Sequence, residues 1–295
     1  MINALFYDCK YYPTTFDSCN FFAISMGILR QLGLKNIHLV LIGPEQREVP
    51  YERDYPYSTT LQKMYDTILT TSKMCSIISG VSIFASADDI PQDTFRSVIK
   101  GYVPGNQPPR LYDFKDIERI VSEAHISELN SLFLPVTKSS LEQFYDSIVL
   151  FPRKSEFNLR RNTPDRLFED VVQLLEGSGI PAVIVPDLDS RNNSTFYSSI
   201  PGRIEIASVA KLSITWGGGI SAPLWFSPSR ILITGLMDDA SPVDSAEMAA
   251  RKGPTRYVQP SWFGSHKRFD WTENSEITSQ HIYNRTLEML EGISH

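Results

Sequence analysis

Three consecutive glycines in SITWGGGISAPLWF, residues 213–226, are the first feature of the sequence that could do chemistry. They follow a β-branched run typical of a strand, and apolar residues resume after them at helical spacing. Backbone N–H groups at the start of a helix attract anions, and glycine lets a phosphate approach them closely. The alternative is a tight turn in which the glycines supply positive φ angles. Because ligands bind beyond the carboxyl ends of parallel strands, this position favours the phosphate site.

Charged residues at four other positions could serve the same chemistry. Arg153 and Lys154 directly follow the apolar run IVLF and could equally belong to a solvated loop. Asp17 precedes an apolar helical segment, which it or Ser18 could cap. Glu205 lies in RIEIASVAK and could also be an ordinary exposed helix residue. The five histidines and three cysteines lack the spacing of a metal site, a catalytic triad or a disulfide framework, so no cofactor is expected.

The composition indicates a globular protein. The chain has 295 residues, 42% of them hydrophobic, which suggests two domains at roughly 100–200 residues per domain. Its net charge is −6 and it has no long basic run, which disfavours nucleic-acid binding. It shows no secretory signal and no transmembrane segment, so a cytoplasmic protein is expected. Peripheral association with a membrane is compatible with these features.

Apolar runs alternate with amphipathic segments along the chain, as in an α/β protein with mostly parallel sheets. In the first half the predicted strands are NALFYD, NIHLVLIG and CSIISGVSIFAS, and the predicted helices are DSCNFFAISMGILRQLG, STTLQKMYDTILTTSK and KDIERIVSEAHISELN. The second half repeats the alternation, with a helix expected to be capped by Thr163 and to begin at Pro164. We place the boundary near residues 136–146, which gives domains of residues 1–140 and 141–295.

The second half resembles the donor-binding domain of GT-B glycosyltransferases, and in particular the ADP-heptose heptosyltransferase-like group. The resemblance rests on IVLFPRKSEFNLRRNTPDRLFEDVVQLLEGSGIPAVIVPD and on IEIASVAKLSITWGGGISAPLWFSPSRILITGL, over residues 146–236. The order of strands, helices, basic loop and glycine loop carries it, and the N-terminal half fits only loosely. It implies two Rossmann-like domains facing a cleft, with the acceptor on the N-terminal side.

The resemblance also implies a site for the donor diphosphate. Backbone N–H groups of the glycine loop and of Ser221 would hold the diphosphate at a helix N-terminus. Basic side chains on the loop after the first strand of this half would neutralise it as it leaves. The glycines are Gly217, Gly218 and Gly219, and the basic residues are Arg153, Lys154 and Arg160 or Arg161.

Two carboxylates receive roles from the same resemblance. Glu205 would accept hydrogen bonds from the ribose, and Asp17 would act as the general base toward an acceptor hydroxyl. Because basic side chains would neutralise the diphosphate, no metal is implied. The DLD sequence at Asp187 to Asp189 follows a strand of the donor half, where a ribose or loop role is expected.

The resemblance implies transfer of a sugar from a nucleotide-diphosphate sugar to a glycan or lipid-linked acceptor, as in polysaccharide biosynthesis. The sequence departs from the family at Trp216, where an aspartate is common, and at Ser221, where a histidine is common. The Trp216 indole could stack on a base or sugar of the donor, or it could fill the core. Two alternatives therefore stay open: a nucleotide-sugar epimerase or hydrolase, and a degenerate glycosyltransferase-like binding or scaffold protein.

An aromatic and basic segment near the C-terminus, SWFGSHKRFDW at residues 261–271, has no assigned role. The sequence leaves open whether it closes over the cleft or wraps back on the N-terminal domain.

Overall fold

A computed structural model describes residues 1–43, 48–49, 56–109, 111, 114–135, 141–154, 162–187, 199–218, 221–236 and 259–292. The chain divides into two compact units, Met1–Phe133 and Leu134–His295. Each unit is built on an all-parallel sheet, which confirms the predicted α/β class with two Rossmann-like units. The functional roles given to the two halves stay predictions. No helix within the described ranges is both long and apolar enough to cross a membrane.

The first unit contains a four-stranded parallel sheet in the order β3-β2-β1-β4. The strands are β1 (Ile2–Asp8), β2 (Ile37–Ile42), β3 (Ile78–Phe84) and β4 (Phe95–Ser97). The helices are α1 (Ser18–Gln31), α2 (Tyr57–Lys63), α3 (Thr70–Met74), α4 (Phe114–Ile120) and α5 (Ile126–Leu129). A π-helical segment, Met64–Leu69, joins α2 to α3, so the predicted helix here is continuous but wider at its middle.

Two predictions for this unit are wrong in detail. The segment predicted as one helix over residues 115–130 is broken between α4 and α5, where Ser122 has extended backbone angles and precedes a 3-10 turn. The serine side chain competes with the helix backbone for hydrogen bonds, so a break at serine costs little free energy. Strand β4 was not predicted because three residues are too few to show a periodicity.

The second unit contains a five-stranded parallel sheet in the order β6-β5-β7-β8-β9. The strands are β5 (Ile148–Phe151), β6 (Ala182–Ile184), β7 (Leu212–Trp216), β8 (Ile231–Thr234) and β9 (Lys267–Phe269). The helices are α6 (Leu167–Gly177), α7 (Ile200–Val209), α8 (Ala222–Trp225) and α9 (Ser279–Glu291). The chain leaves β5 toward β6 on one side and returns to β7 on the other, so the strand order reverses between β5 and β7.

Two predictions for the second unit need correction, and one segment without an assigned role is now placed. Helix α6 begins at Leu167 rather than at Pro164, because Arg166 before it has a left-handed φ of 64°. The glycine loop leads into a single helical turn, α8, instead of a longer helix. Residues 261–271, whose role the sequence left open, supply β9, which pairs with β8.

The buried lysine of β9 makes the stability of the second unit depend on pH. Nζ of Lys267 donates to the carbonyl of Trp225 at 2.7 Å, and burial lowers the pKa of Lys267 from 10.5 to about 7. Between these values the unfolded chain binds a proton that the folded chain does not. The stability associated with neutral Lys267 is therefore present above pH 10.5 and is lost as the pH falls toward 7.

Replacing Lys267 by methionine should remove this pH dependence. Relative to Lys267→Met, the free energy of unfolding of the wild type is expected to fall by up to about 1.4 kcal/mol for each pH unit through this window. Urea unfolding at a series of pH values measures the difference, and Lys211→Met, at an exposed position, is the control. A difference that stays constant with pH would contradict the prediction.

Candidate functional site

The candidate site lies at the carboxyl ends of β5 and β7 in the second unit. These strands are parallel neighbours, with Phe151 opposite Thr215, so the segments that follow them emerge at the same edge of the sheet. Arg153 follows β5, and Gly217 follows β7. The strand order reverses between these two strands, and ligands of open α/β sheets bind at such switch points.

Arg153 lies across the glycine loop. Its Nη1 atom is 3.4 Å from the carbonyl oxygen of Gly217, to which it donates. A Cβ atom on Gly218 would lie 2.7 Å from Cδ and 3.0 Å from Nε of Arg153, so this arrangement needs a residue without a side chain. The structure thus brings together two features that the sequence placed on separate loops, the glycines and a basic residue.

Close backbone approach, rather than an unusual backbone angle, explains the glycine at position 217. A Cβ atom there would lie 2.6 Å from the carbonyl oxygen of Gly235, which follows β8. Neither Gly217 nor Gly218 has a positive φ, so these two glycines do not serve to supply positive φ angles to a turn. Gly219 lies outside the described residues.

Two of the backbone N–H groups predicted to hold the diphosphate already have acceptors within the chain. The N–H of Gly217 donates to the carbonyl of Thr234 at 2.6 Å, and the N–H of Ser221 donates to the carbonyl of Gly218 at 3.1 Å. The Ser221 hydroxyl donates to that same Gly218 carbonyl at 2.6 Å. Helix α8 has only four residues, so it supplies little dipole. An anion at this loop would be attracted by the Arg153 side chain rather than by these N–H groups.

Lys154 is anchored through its backbone. Its N–H donates to Oδ2 of Asp187 at 2.6 Å, while its ammonium group pairs with Asp165 at 3.0 Å and is half exposed. Thr163, predicted as a helix cap, instead accepts from the N–H of Arg153 at 2.7 Å through its hydroxyl oxygen. The backbone of Arg153 and Lys154 is thus held in place by side chains that come from later in the chain.

A buried ion pair that the sequence did not reveal completes this anchor. Nη2 of Arg203 in α7 donates to Oδ1 of Asp187 at 3.1 Å and to the carbonyl of Pro186 at 2.7 Å. The guanidinium lies 5.1 Å from the ring centre of Phe151. Both side chains are nearly inaccessible, 2% for Arg203 and 6% for Asp187. Burial lowers the pKa of Arg203 to about 10, so it remains charged at neutral pH.

Glu205 lies inside the protein, with 1% of its surface exposed. Its helix α7 begins after Ser199, whose hydroxyl oxygen accepts from the N–H of Gly202 at 3.1 Å. The alternative that Glu205 is an ordinary exposed helix residue is therefore wrong. A buried carboxylate is costly unless it is hydrogen-bonded, so its position is specific. The ribose role stays a prediction.

Trp216 fills the core of the second unit. Its indole packs edge-on against Phe168 of α6, at 6.3 Å between ring centres and 73° between planes, and 2% of its surface is exposed. A Cβ atom on Gly235 would lie 2.2 Å from the indole ring, so the ring rests on that glycine. Of the two alternatives for this residue, stacking on a donor or filling the core, the structure shows the second.

Asp17, the predicted base, lies in the first unit immediately before α1. Its side chain makes no capping hydrogen bond to the helix, so the capping interpretation is wrong. Oδ2 of Asp17 accepts from the hydroxyl of Thr15 at 3.1 Å. The side chain is partly exposed, and the catalytic role stays a prediction.

Several predicted residues cannot be placed. Arg160, Arg161 and Asp189 lie outside the described residues, as does Gly219. Within the described ranges, no group of three or more His, Cys, Asp or Glu side chains could hold a metal ion.

Fold and site together define a Rossmann-like α/β protein with a basic side chain and glycines at the switch point of one sheet. No family model and no curated protein matches the chain. The chain is similar to the E. coli heptosyltransferase WaaC with ADP-2-deoxy-2-fluoro heptose, at 11% identity, over 97% of this chain and 99% of that one, with a TM-score of 0.46.

Two further solved structures are similar over nearly the whole chain. One is the iron-containing dodecameric glycosyltransferase TibC from enterotoxigenic E. coli, at 12% identity, over 99% of this chain and 80% of that one, with a TM-score of 0.48. The other is the E. coli ADP-heptose lps heptosyltransferase II, at 12% identity, over 99% of this chain and 78% of that one, with a TM-score of 0.36.

Proposed function

We propose that the protein is an enzyme, a glycosyltransferase that moves a sugar from a nucleoside-diphosphate sugar to a glycan or lipid-linked acceptor. The observation that carries the proposal is the Arg153 guanidinium lying across Gly218 at the switch point of the second sheet. Glycosyl transfer releases a nucleoside diphosphate, and a fixed cation stabilises the negative charge that develops on it. A cytoplasmic location, with peripheral contact to a membrane where the acceptor is lipid-linked, belongs to the same proposal.

Each proposed residue has one role. Arg153 and Lys154 bind the diphosphate, and they replace a metal ion as the source of positive charge. Glu205 accepts hydrogen bonds from the donor ribose, and Asp17 takes the proton of the acceptor hydroxyl. Arg160 and Gly219 keep their proposed places in the diphosphate site on the strength of the sequence alone.

One observation favours a second candidate, a protein that binds a nucleotide without turning it over. The N–H groups of Gly217 and Ser221 already donate within the chain, so fewer donors remain to stabilise the charge that develops on the leaving diphosphate during transfer, whereas Arg153 can still bind a nucleotide. The two candidates share the Arg153 site and differ only in turnover.

Binding of nucleoside diphosphates by the purified chain tests the shared site. ADP, UDP and GDP are titrated by calorimetry with and without Mg²⁺, and one of them is expected to bind in both conditions. Arg153→Ala should weaken that binding about 10- to 100-fold, because a hydrogen bond to a charged group contributes about 1.5–3 kcal/mol. Asp17→Asn should retain the binding and lose sugar transfer.

Arg119→Ala is the matched control, because its side chain is 69% exposed and lies on α4, outside the site. Unchanged affinity in Arg153→Ala, or no binding of any nucleoside diphosphate by the wild type, would refute the donor site. Binding without transfer by the wild type, across a panel of sugar donors and acceptors, would favour the second candidate.

A further inference from the structure

A cavity opens at the carboxyl end of β9, and no residue of the proposed donor site lines it. Its volume is about 380 Å³, and residues of the β9 region and of α9 line it. This is within the usual size of ligand pockets, about 300–1,000 Å³. The whole cavity belongs to the second unit.

The floor of the cavity is Asp270, whose carboxylate is buried and fully engaged. Its Oδ2 atom lies 2.8 Å from Nε2 of His281 in α9 and accepts from the Thr234 hydroxyl at the end of β8, at 3.2 Å. Its Oδ1 atom accepts from the Thr272 hydroxyl at 2.8 Å. These bonds fix two strand ends and a helix around one carboxylate, so the cavity is rigid before any ligand arrives.

The walls combine hydrogen-bond donors, acceptors and an aromatic ring. Arg268 and Arg285 share the carboxylate of Glu288, at 2.8 and 2.9 Å, which holds both guanidinium groups in place. Glu273, Glu276 and Trp271 also line the cavity, and the Trp271 ring packs against Phe269 at 5.2 Å between ring centres.

With Asp270, the lining carries three acidic and two basic side chains, so no single sign of charge dominates it. A ligand with many hydroxyl groups fits such a lining, because each hydroxyl both donates and accepts. The ring of Trp271 suits the apolar face of a sugar.

The cavity and the proposed diphosphate site lie at the same edge of the sheet. Strand β9 is parallel to β8, and β8 is parallel to β7, so all three carboxyl ends point the same way. Neighbouring strands are about 4.8 Å apart, which puts the end of β9 about 10 Å from the end of β7.

We infer that this cavity binds a saccharide through its ring and hydroxyl groups, at a site separate from the diphosphate. The inference rests on the proposed function only for the use of this sugar in transfer, as part of a glycan substrate. Saccharide binding itself stands on the cavity, its mixed lining and its aromatic wall.

Saturation-transfer NMR on the full chain tests the inference. Glucose, galactose, mannose and N-acetylglucosamine are the probes, each added alone, and at least one is expected to receive saturation. Glu276→Gln and Arg285→Gln should each weaken its binding about tenfold or more, because each removes a charged hydrogen-bonding group. Glu291→Gln, an exposed position on α9 that does not line the cavity, should leave binding unchanged.

ADP binding in the same samples separates this inference from the proposed function. Arg153→Ala should weaken ADP binding and leave sugar binding unchanged. Glu276→Gln should weaken sugar binding and leave ADP binding unchanged. Sugar binding without any nucleotide binding would support the saccharide site in this cavity and refute the proposed donor site. The inference is overturned if no sugar of the panel receives saturation, or if Glu276→Gln binds the sugar as tightly as Glu291→Gln.

Discussion

Replacing Gly235 by alanine is expected to destabilise the second unit by about 2–5 kcal/mol, through a backbone cost and a packing cost. Gly235 has a φ of +69°, where a side chain costs about 1–2 kcal/mol. Its new Cβ atom would lie 2.2 Å from Cε2 and 2.3 Å from Cδ2 of Trp216. The indole is enclosed by the core and cannot move aside, so overpacking adds about 1–3 kcal/mol.

Tryptophan fluorescence during urea unfolding measures this effect in the right part of the chain. All four tryptophans belong to the second unit: Trp216, Trp225, Trp262 and Trp271. Gly179→Ala is the matched control, because Gly179 also has a positive φ, of 76°, but a Cβ atom there would meet nothing within 4 Å. Equal destabilisation by the two substitutions would show that contact with the indole costs nothing.

This pair of residues also shows where the sequence stops being informative. The run LSITW predicts a strand ending at Trp216, and the structure has that strand at residues 212–216. Whether the indole packs in the core depends on the neighbouring strand β8. Trp216 lies opposite Thr234, and Gly235, on which the indole rests, is the next residue after Thr234. Register between strands is set by the whole sheet, so the sequence could not decide between a core and a ligand-stacking role.

Prediction of the fold succeeded where apolar runs were long enough to show a period. Strands β1, β2 and β7 lie within or close to their predicted segments. Strand β9 was missed because three residues inside an aromatic segment show no alternation. The start of α6 was misplaced because one left-handed residue, Arg166, overrides the capping signal at Thr163.

For the candidate site, the sequence predicted which residues follow the strand ends, but not the hydrogen bonds that those residues make. Placing Arg153 and the glycines at one edge needed only the rule that parallel strands align their carboxyl ends. The hydrogen bond from Gly217 to Thr234 depends on β8, which follows the loop in the chain. Asp187 and Arg203 meet across two elements, and only the charge of Arg203 in the otherwise apolar start of α7 hinted at a buried partner.

Replacing Asp187 by alanine is expected to cost about 3–5 kcal/mol of stability, because it leaves the guanidinium of Arg203 buried without its carboxylate. The same change removes the acceptor of the Lys154 N–H, so the loop after β5 loses a tether. Nucleoside-diphosphate binding at Arg153 should therefore weaken together with stability. The two effects have different origins and can be separated by a second substitution.

The double variant Asp187→Leu with Arg203→Met replaces the ion pair by apolar side chains. Removing both charges of a buried pair is often neutral for stability, so tryptophan-monitored unfolding should return near the wild type. The Lys154 N–H still lacks its acceptor, so the affinity for ADP should stay reduced. An Asp187→Ala cost below about 1 kcal/mol would contradict the buried pair, since that is the size of an exposed one. Full recovery of ADP affinity in the double variant would show that the Asp187 tether does not position the loop.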